Sequence, residues 1–199
     1  MSQVNDIAEQ IDGILNQNFE SMSFEELQIA DNDLNGLFSV SHKNRLDIRL
    51  TDDQVQKRNN LGFLIVKEQY KNEQVRIGDI FHSSWGYDQT NTEYFKVKSI
   101  SKSGKTCSVV MISFETVPGS EGFMCDSITP IPEKEIHNGQ VCTVRIHRSS
   151  CWNQTTKQHE EIGEIHLRGS VFYGSMDSKH LTNLYRVDPT KKEYRSWYA

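Results

Sequence analysis

The chain reads as an α+β protein, with an acidic helical N-terminal region over residues 1–60 followed by a small antiparallel, β-barrel-like domain over residues 61–199. Three observations predict this. Apolar residues recur at helical spacing before residue 60, they alternate with polar ones after about residue 75, and the charges divide along nearly the same line. Residues 1–42 hold eight acids (Asp6, Glu9, Asp12, Glu20, Glu25, Glu26, Asp31 and Asp33) and neither Lys nor Arg, whereas the whole chain carries a net charge of only −5. The body is therefore mildly basic.

The elements follow in order. Val4, Ile7, Ala8, Ile11 and Ile14/Leu15 fall on one side of a helix, with Asp6, Glu9 and Asp12 largely on the other. Ser23-Phe-Glu-Glu26 has the form of a capping box, and Leu27, Ala30, Leu34 and Leu37 continue an apolar stripe whose end Gly36 marks. Thr51-Asp-Asp-Gln54 starts a third helix, expected over 52–60. The apolar run Leu61–Val66 has no decisive period and is read as the opening of the β domain. Further on, Phe95 and Val97 alternate with Lys96 and Lys98, and Ser101–Lys105 makes a hairpin turn with Gly104 at a position of positive φ. Strands are expected over 106–112, 123–131, 141–148, 162–168, 171–173 and 193–198. The polar stretch 149–161 reads as a surface loop.

Composition narrows the class. With 36% hydrophobic and 25% charged residues the chain is ordinary for a soluble globular protein. No apolar run approaches the roughly 20 residues of a membrane span, and the N-terminus lacks the basic and apolar regions of a secretory signal, so a cytoplasmic protein without a membrane partner is expected. Cys107, Cys125, Cys142 and Cys151 contain no CxxC pair and sit mostly in apolar segments, which suits reduced, buried thiols.

The most distinctive segment is His82-Ser-Ser-Trp-Gly-Tyr-Asp-Gln-Thr-Asn91, which packs two aromatics, a glycine and short polar side chains into a turn. Entered from Gly78-Asp-Ile80 and followed by Tyr94-Phe-Lys-Val97 and a glycine-containing hairpin, it resembles a family of small phage, plasmid and mobile-element proteins for which no activity is established. The resemblance covers residues 75–199, loosely through Ile128-Thr-Pro-Ile-Pro132 to the terminal Tyr194–Ala199, and leaves the acidic head outside. It implies a genomic setting and a shared β domain, and carries over no catalytic residue.

His147, Cys151, His159 and His166 supply zinc-competent ligands, but at spacings that match no common zinc pattern, and no cofactor is expected. Asp79, His82 and Asp88 lie close enough in sequence for a general base, without any nucleophile motif beside them. Outward residues of the strands, Lys96, Lys98, Arg145, His147, His166 and Arg168, would form a basic ladder for phosphates were those strands neighbours, the alternative being a solvated strand face. The acidic helices suit a basic groove of a partner, or pack on the body, or pair with a second copy. Trp85, Tyr87, Asp88 and Asn91 form an expected contact cluster, or only specify the turn. The reading that results is a non-enzymatic binding protein of a phage or mobile element. It meets a host or viral protein as inhibitor of a host nucleic-acid-directed defence enzyme. A direct nucleic-acid-binding module is the alternative, and a small hydrolase comes third.

Overall fold

A computed structural model describes residues 3–86, 90–173 and 176–196. The chain is α+β, with three α-helices and an eight-stranded antiparallel sheet among the described residues. It divides into two compact units, Met1–Asn72 with Ser149–Gly163, and Glu73–Arg148 with Glu164–Ala199.

The first unit is built on α1 (Gln3–Leu15), α2 (Phe24–Lys43) and α3 (Asp52–Tyr70). The expected capping box forms at α2, and the expected helix start at Thr51 carries a second one. Ser23 Oγ accepts from the Glu26 backbone N–H at 3.3 Å while the Glu26 carboxylate accepts from the Ser23 N–H at 2.7 Å, and Thr51 and Gln54 do the same at 3.3 and 2.9 Å. Each box satisfies backbone donors that a helix start leaves orphaned. Ile7, Ile11 and Leu15 meet Leu27, Ala30 and Leu34 in one core, joined by Leu61, Phe63 and Leu64.

Two expectations are corrected here. The helix expected over 52–60 continues to Tyr70, because the apolar run from Leu61 supplies the face that α3 buries; the β-rich part therefore starts later than residue 61. Gly36 lies inside α2, which ends at the Asn44 cap; a mid-helix glycine costs only about 1 kcal/mol against alanine, and the buried stripe offsets it.

The strands are β1 (Ile80–Trp85), β2 (Asn91–Ile100), β3 (Thr106–Thr116), β4 (Cys125–Glu135), β5 (Val141–Asn153), β6 (Gln158–Tyr173), β7 (Met176–Arg186) and β8 (Glu193–Ser196). They are ordered β2-β1-β7-β6-β5-β3-β4-β8, and β2 also pairs with β3, so six strands follow one another in a ring from which β4 and β8 extend. The expected strands 162–168 and 171–173 are one strand, β6. The stretch 149–161, expected to be a loop, lies largely in β5 and β6, and residues 149–163 group with the helices, where Cys151 and Ile162 pack on the helical core. The segment 82–91 is less of a turn than expected, since His82–Trp85 belong to β1 and Asn91 begins β2.

Alternation sorts the strand residues. Phe81, Phe95, Val97, Val109, Met111, Cys142, Val144, Leu167 and Leu184 share one core, while Ile80, Tyr94, Val110, Ile112 and Ile128 form another on the opposite faces of β1, β2 and β3. The 101–105 turn forms as expected, with Gly104 at φ 68° and its N–H donating to Ser101 O at 2.9 Å. All four cysteines are free thiols, and burial pushes Cys107 up to about 11. No helix among the described residues is long and apolar enough to cross a membrane.

Candidate functional site

Half of the expected basic ladder assembles. On β5, Cys142 and Val144 are buried while Thr143 and Arg145 are exposed; on β6, Ile165 and Leu167 are buried while Arg168 and Ser170 are exposed. The two strands close tightly because position 169 has no side chain: a Cβ there would lie 2.7 Å from Val144 Cγ1 and 3.0 Å from Val144 Cα. Arg145, His147 and Arg168 thereby line one recess of about 530 Å³, with the hydroxyls of Thr106, Thr143 and Ser170 around it. Neither guanidinium has a side-chain hydrogen bond or an ion pair among the described residues. Like charges on adjacent strands repel, so this pair costs stability in the free protein, and an oxyanion held by both guanidinium forks offsets that cost.

His147 stacks on His166 with ring centroids 5.6 Å apart, and His166 lies 6.0 Å from the ring of Tyr185. Burial, reinforced by the neighbouring His147, lowers the His166 pKa and favours its neutral form.

The other half of the ladder is neutralised within the sheet. A register shift between Ile112 and Ser113 places Glu135 opposite Ile112, where its carboxylate meets Lys98 Nζ at 2.6 Å and Lys96 Nζ at 3.7 Å. Lys96 also donates to Pro132 O. Chiefly through Lys98, the two lysines hold the Glu135 carboxyl below its ordinary range. Lys96 and Lys98 thus do not join Arg145 and Arg168, since a carboxylate 37 residues away from Lys98 in sequence takes their charge.

The expected contact cluster is divided as well. Trp85 and Asn91 are register partners across β1 and β2, and the Trp85 indole N–H donates at 2.5 Å to Glu93, a carboxylate only 6% exposed. The Asn91 side-chain amide nitrogen is buried and has no partner among the described residues. Tyr87 and Asp88 lie outside the described residues.

Asn91 and Glu93 border a second recess that the sequence did not announce. The β2–β3 ladder ends at Tyr94↔Ile112; beyond it β3 pairs with β4, β4 with β8, and Thr90 and Ser196 exchange backbone hydrogen bonds of 3.2 and 3.0 Å. Between the diverging strands lies a cavity of about 570 Å³, walled by Asn91, Glu93, Met111, Phe114, His137 and Arg195. The Arg195 guanidinium forks onto Asp126 at 3.0 and 2.6 Å and lies 4.7 Å from the centre of the Phe114 ring. Those bonds hold the Asp126 carboxyl below its ordinary value. His137 and Asn138 sit in the left-handed region, at φ 52° and 54°, and His137 stacks on Phe172 at 4.7 Å. Sustained left-handed backbone in two non-glycine residues is strain, here held by packing.

Among the described residues, the members of the enzyme-like clusters take other partners. Asp79 accepts from the Arg76 N–H at 2.8 Å and pairs with Arg186 at 2.9 Å, while His82 Nδ1 lies 3.8 Å from Glu193. His159 packs against Trp152 at 5.2 Å. Among the described residues no three His, Cys, Asp or Glu side chains are placed to hold a metal ion.

Comparison of the chain with protein-family models, curated proteins and solved structures found no match.

Proposed function

We propose that this chain is a non-enzymatic binding protein whose β-rich unit, a small barrel, grips the phosphate backbone of a nucleic acid. One observation carries the reading: Arg145 and Arg168 line a single recess with His147, and no described acidic group compensates them. Hydroxyls of Thr106, Thr143 and Ser170 supply further hydrogen bonds, as phosphate sites use. Such binding weakens with salt, because each neutralised phosphate releases condensed counterions. Titration of labelled DNA at rising salt tests it. Charge removal by Arg168→Ala lowers affinity for all sequences alike and reduces the salt slope by about 1. Absence of binding at low salt overturns the proposal.

A second reading is favoured by a separate observation: none of the eight acids of residues 1–42 forms an ion pair with a base among the described residues. The helical unit, with fourteen acids against eight bases, then presents carboxylates to a basic groove of a host nucleic-acid-directed enzyme. A cytoplasmic phage or mobile-element setting, implied by the resemblance at residues 75–199, belongs to this reading. Steady-state inhibition of such an enzyme, lost on Glu25→Lys with Glu26→Gln, supports it; unchanged inhibition rejects it.

A further inference from the structure

We propose that the nucleic acid held at the arginine recess is single-stranded, and that an aromatic recess beside it stacks one unpaired base. The inference rests on the phosphate reading of Arg145 and Arg168.

Trp85, Tyr173, His180 and Leu181 line a recess of about 370 Å³. Leu181 also lines the arginine recess, so the two share a wall. On the β6–β7 ladder Ser170 pairs with Leu181 and Val171 with His180; alternation turns Leu181 to the face of Arg168 and Ser170 and His180 to the face of Val171, so the shared wall is β7 itself at Leu181. From Arg168 to Tyr173 is five residues, about 16 Å at strand rise, a length that a few nucleotides cover.

The rings are arranged to receive a base. Tyr173 meets Trp85 at 5.2 Å with planes at 74°, and His180 at 5.0 Å and 64°. In an edge-to-face pair the ring that presents its edge keeps both faces clear of that neighbour, unlike the parallel His137–Phe172 stack, in which the facing surfaces are used by each other. The indole of Trp85 is held by its bond to Glu93, and His180 Nε2 lies 3.2 Å from Ser178 Oγ, so two of the rings are oriented before any ligand arrives. Leu181 is 65% exposed, an apolar side chain on a strand face that otherwise offers Arg168, Ser170 and Asn183 to water. In a duplex the bases are paired and stacked internally; in a single strand each presents a free face to such a platform.

The test compares a labelled oligothymidylate with a labelled DNA duplex of equal phosphate number by fluorescence anisotropy at low salt. The single strand binds more tightly, and Tyr173→Ala weakens it about five- to 150-fold while leaving the duplex unchanged. Tyr173→Phe retains the preference. His180→Ala, at an exposed position, lowers single-strand affinity in the same direction and keeps the inference testable where Tyr173→Ala fails to fold. If both probes bind equally and neither Tyr173→Ala nor His180→Ala changes the ratio, the base recess is rejected while the arginine reading stands. If neither probe binds at low salt, the arginine reading itself has failed.

Discussion

Removing the two ends of the Asp126–Arg195 pair will have unequal effects. Asp126 is 4% exposed and accepts three hydrogen bonds, two from Arg195 and one of 3.0 Å from Thr116. The Arg195 side chain is 26% exposed, so water reaches it when its partner is gone. Arg195→Met keeps a stem on Phe114 but strands a buried carboxylate with one hydrogen bond, which costs about 3–5 kcal/mol at pH 7. Asp126→Asn leaves a hydratable guanidinium and costs about 1–2.5 kcal/mol. The pH dependence follows from the same contacts. Arg195 lowers the folded-state pKa of Asp126 from the ordinary value of 3.8, so the stabilisation is complete above that value and is lost as pH falls through the lower folded one. In Arg195→Met the same carboxyl is buried without its partner and its pKa rises, so the deficit relative to the parent shrinks on acidification from pH 7 to 4. Urea unfolding of both variants at the two pH values measures this. A smaller loss for Arg195→Met than for Asp126→Asn, or a deficit independent of pH, refutes the reasoning.

Two further outcomes concern the scaffold. Ser23→Ala and Thr51→Ala each remove a reciprocal cap and cost about 1 kcal/mol by chemical denaturation, additively because they start different helices. Gly169→Ala pushes a methyl to 3.0 Å from the Val144 backbone and costs about 1–3 kcal/mol; a neutral effect on melting temperature would show that β5 and β6 can separate locally.

Local chemistry was legible in the sequence and remote pairing was not. Ser23/Glu26, Thr51/Gln54 and the Gly104 turn were readable because the groups that bond lie within five residues of one another. The sides taken by Arg145 and Arg168 followed from period-two alternation. The fate of Lys96 and Lys98 did not, because Glu135 reaches them through a register shift that no periodicity encodes. Glu93 carried no signal of its bond to Trp85, Tyr173 stood at the end of an expected strand with no neighbour assigned to it, and His180 and Leu181 were missed because β7 was not recognised as a strand. Leu61–Val66 was misplaced for a different reason: a six-residue apolar run suits a buried strand and a buried helix alike, and length alone decides between them.

The excursion of residues 149–163 into the helical unit sets an order on how that unit can be completed during synthesis. Its three helices have left the ribosome by Asn72, yet Cys151 and Ile162, which pack on their core, follow only after a further stretch of nearly eighty residues. At about 5–20 residues per second that is an interval of roughly 4–15 s, in which part of the helical core stands exposed to water, chaperones or another copy.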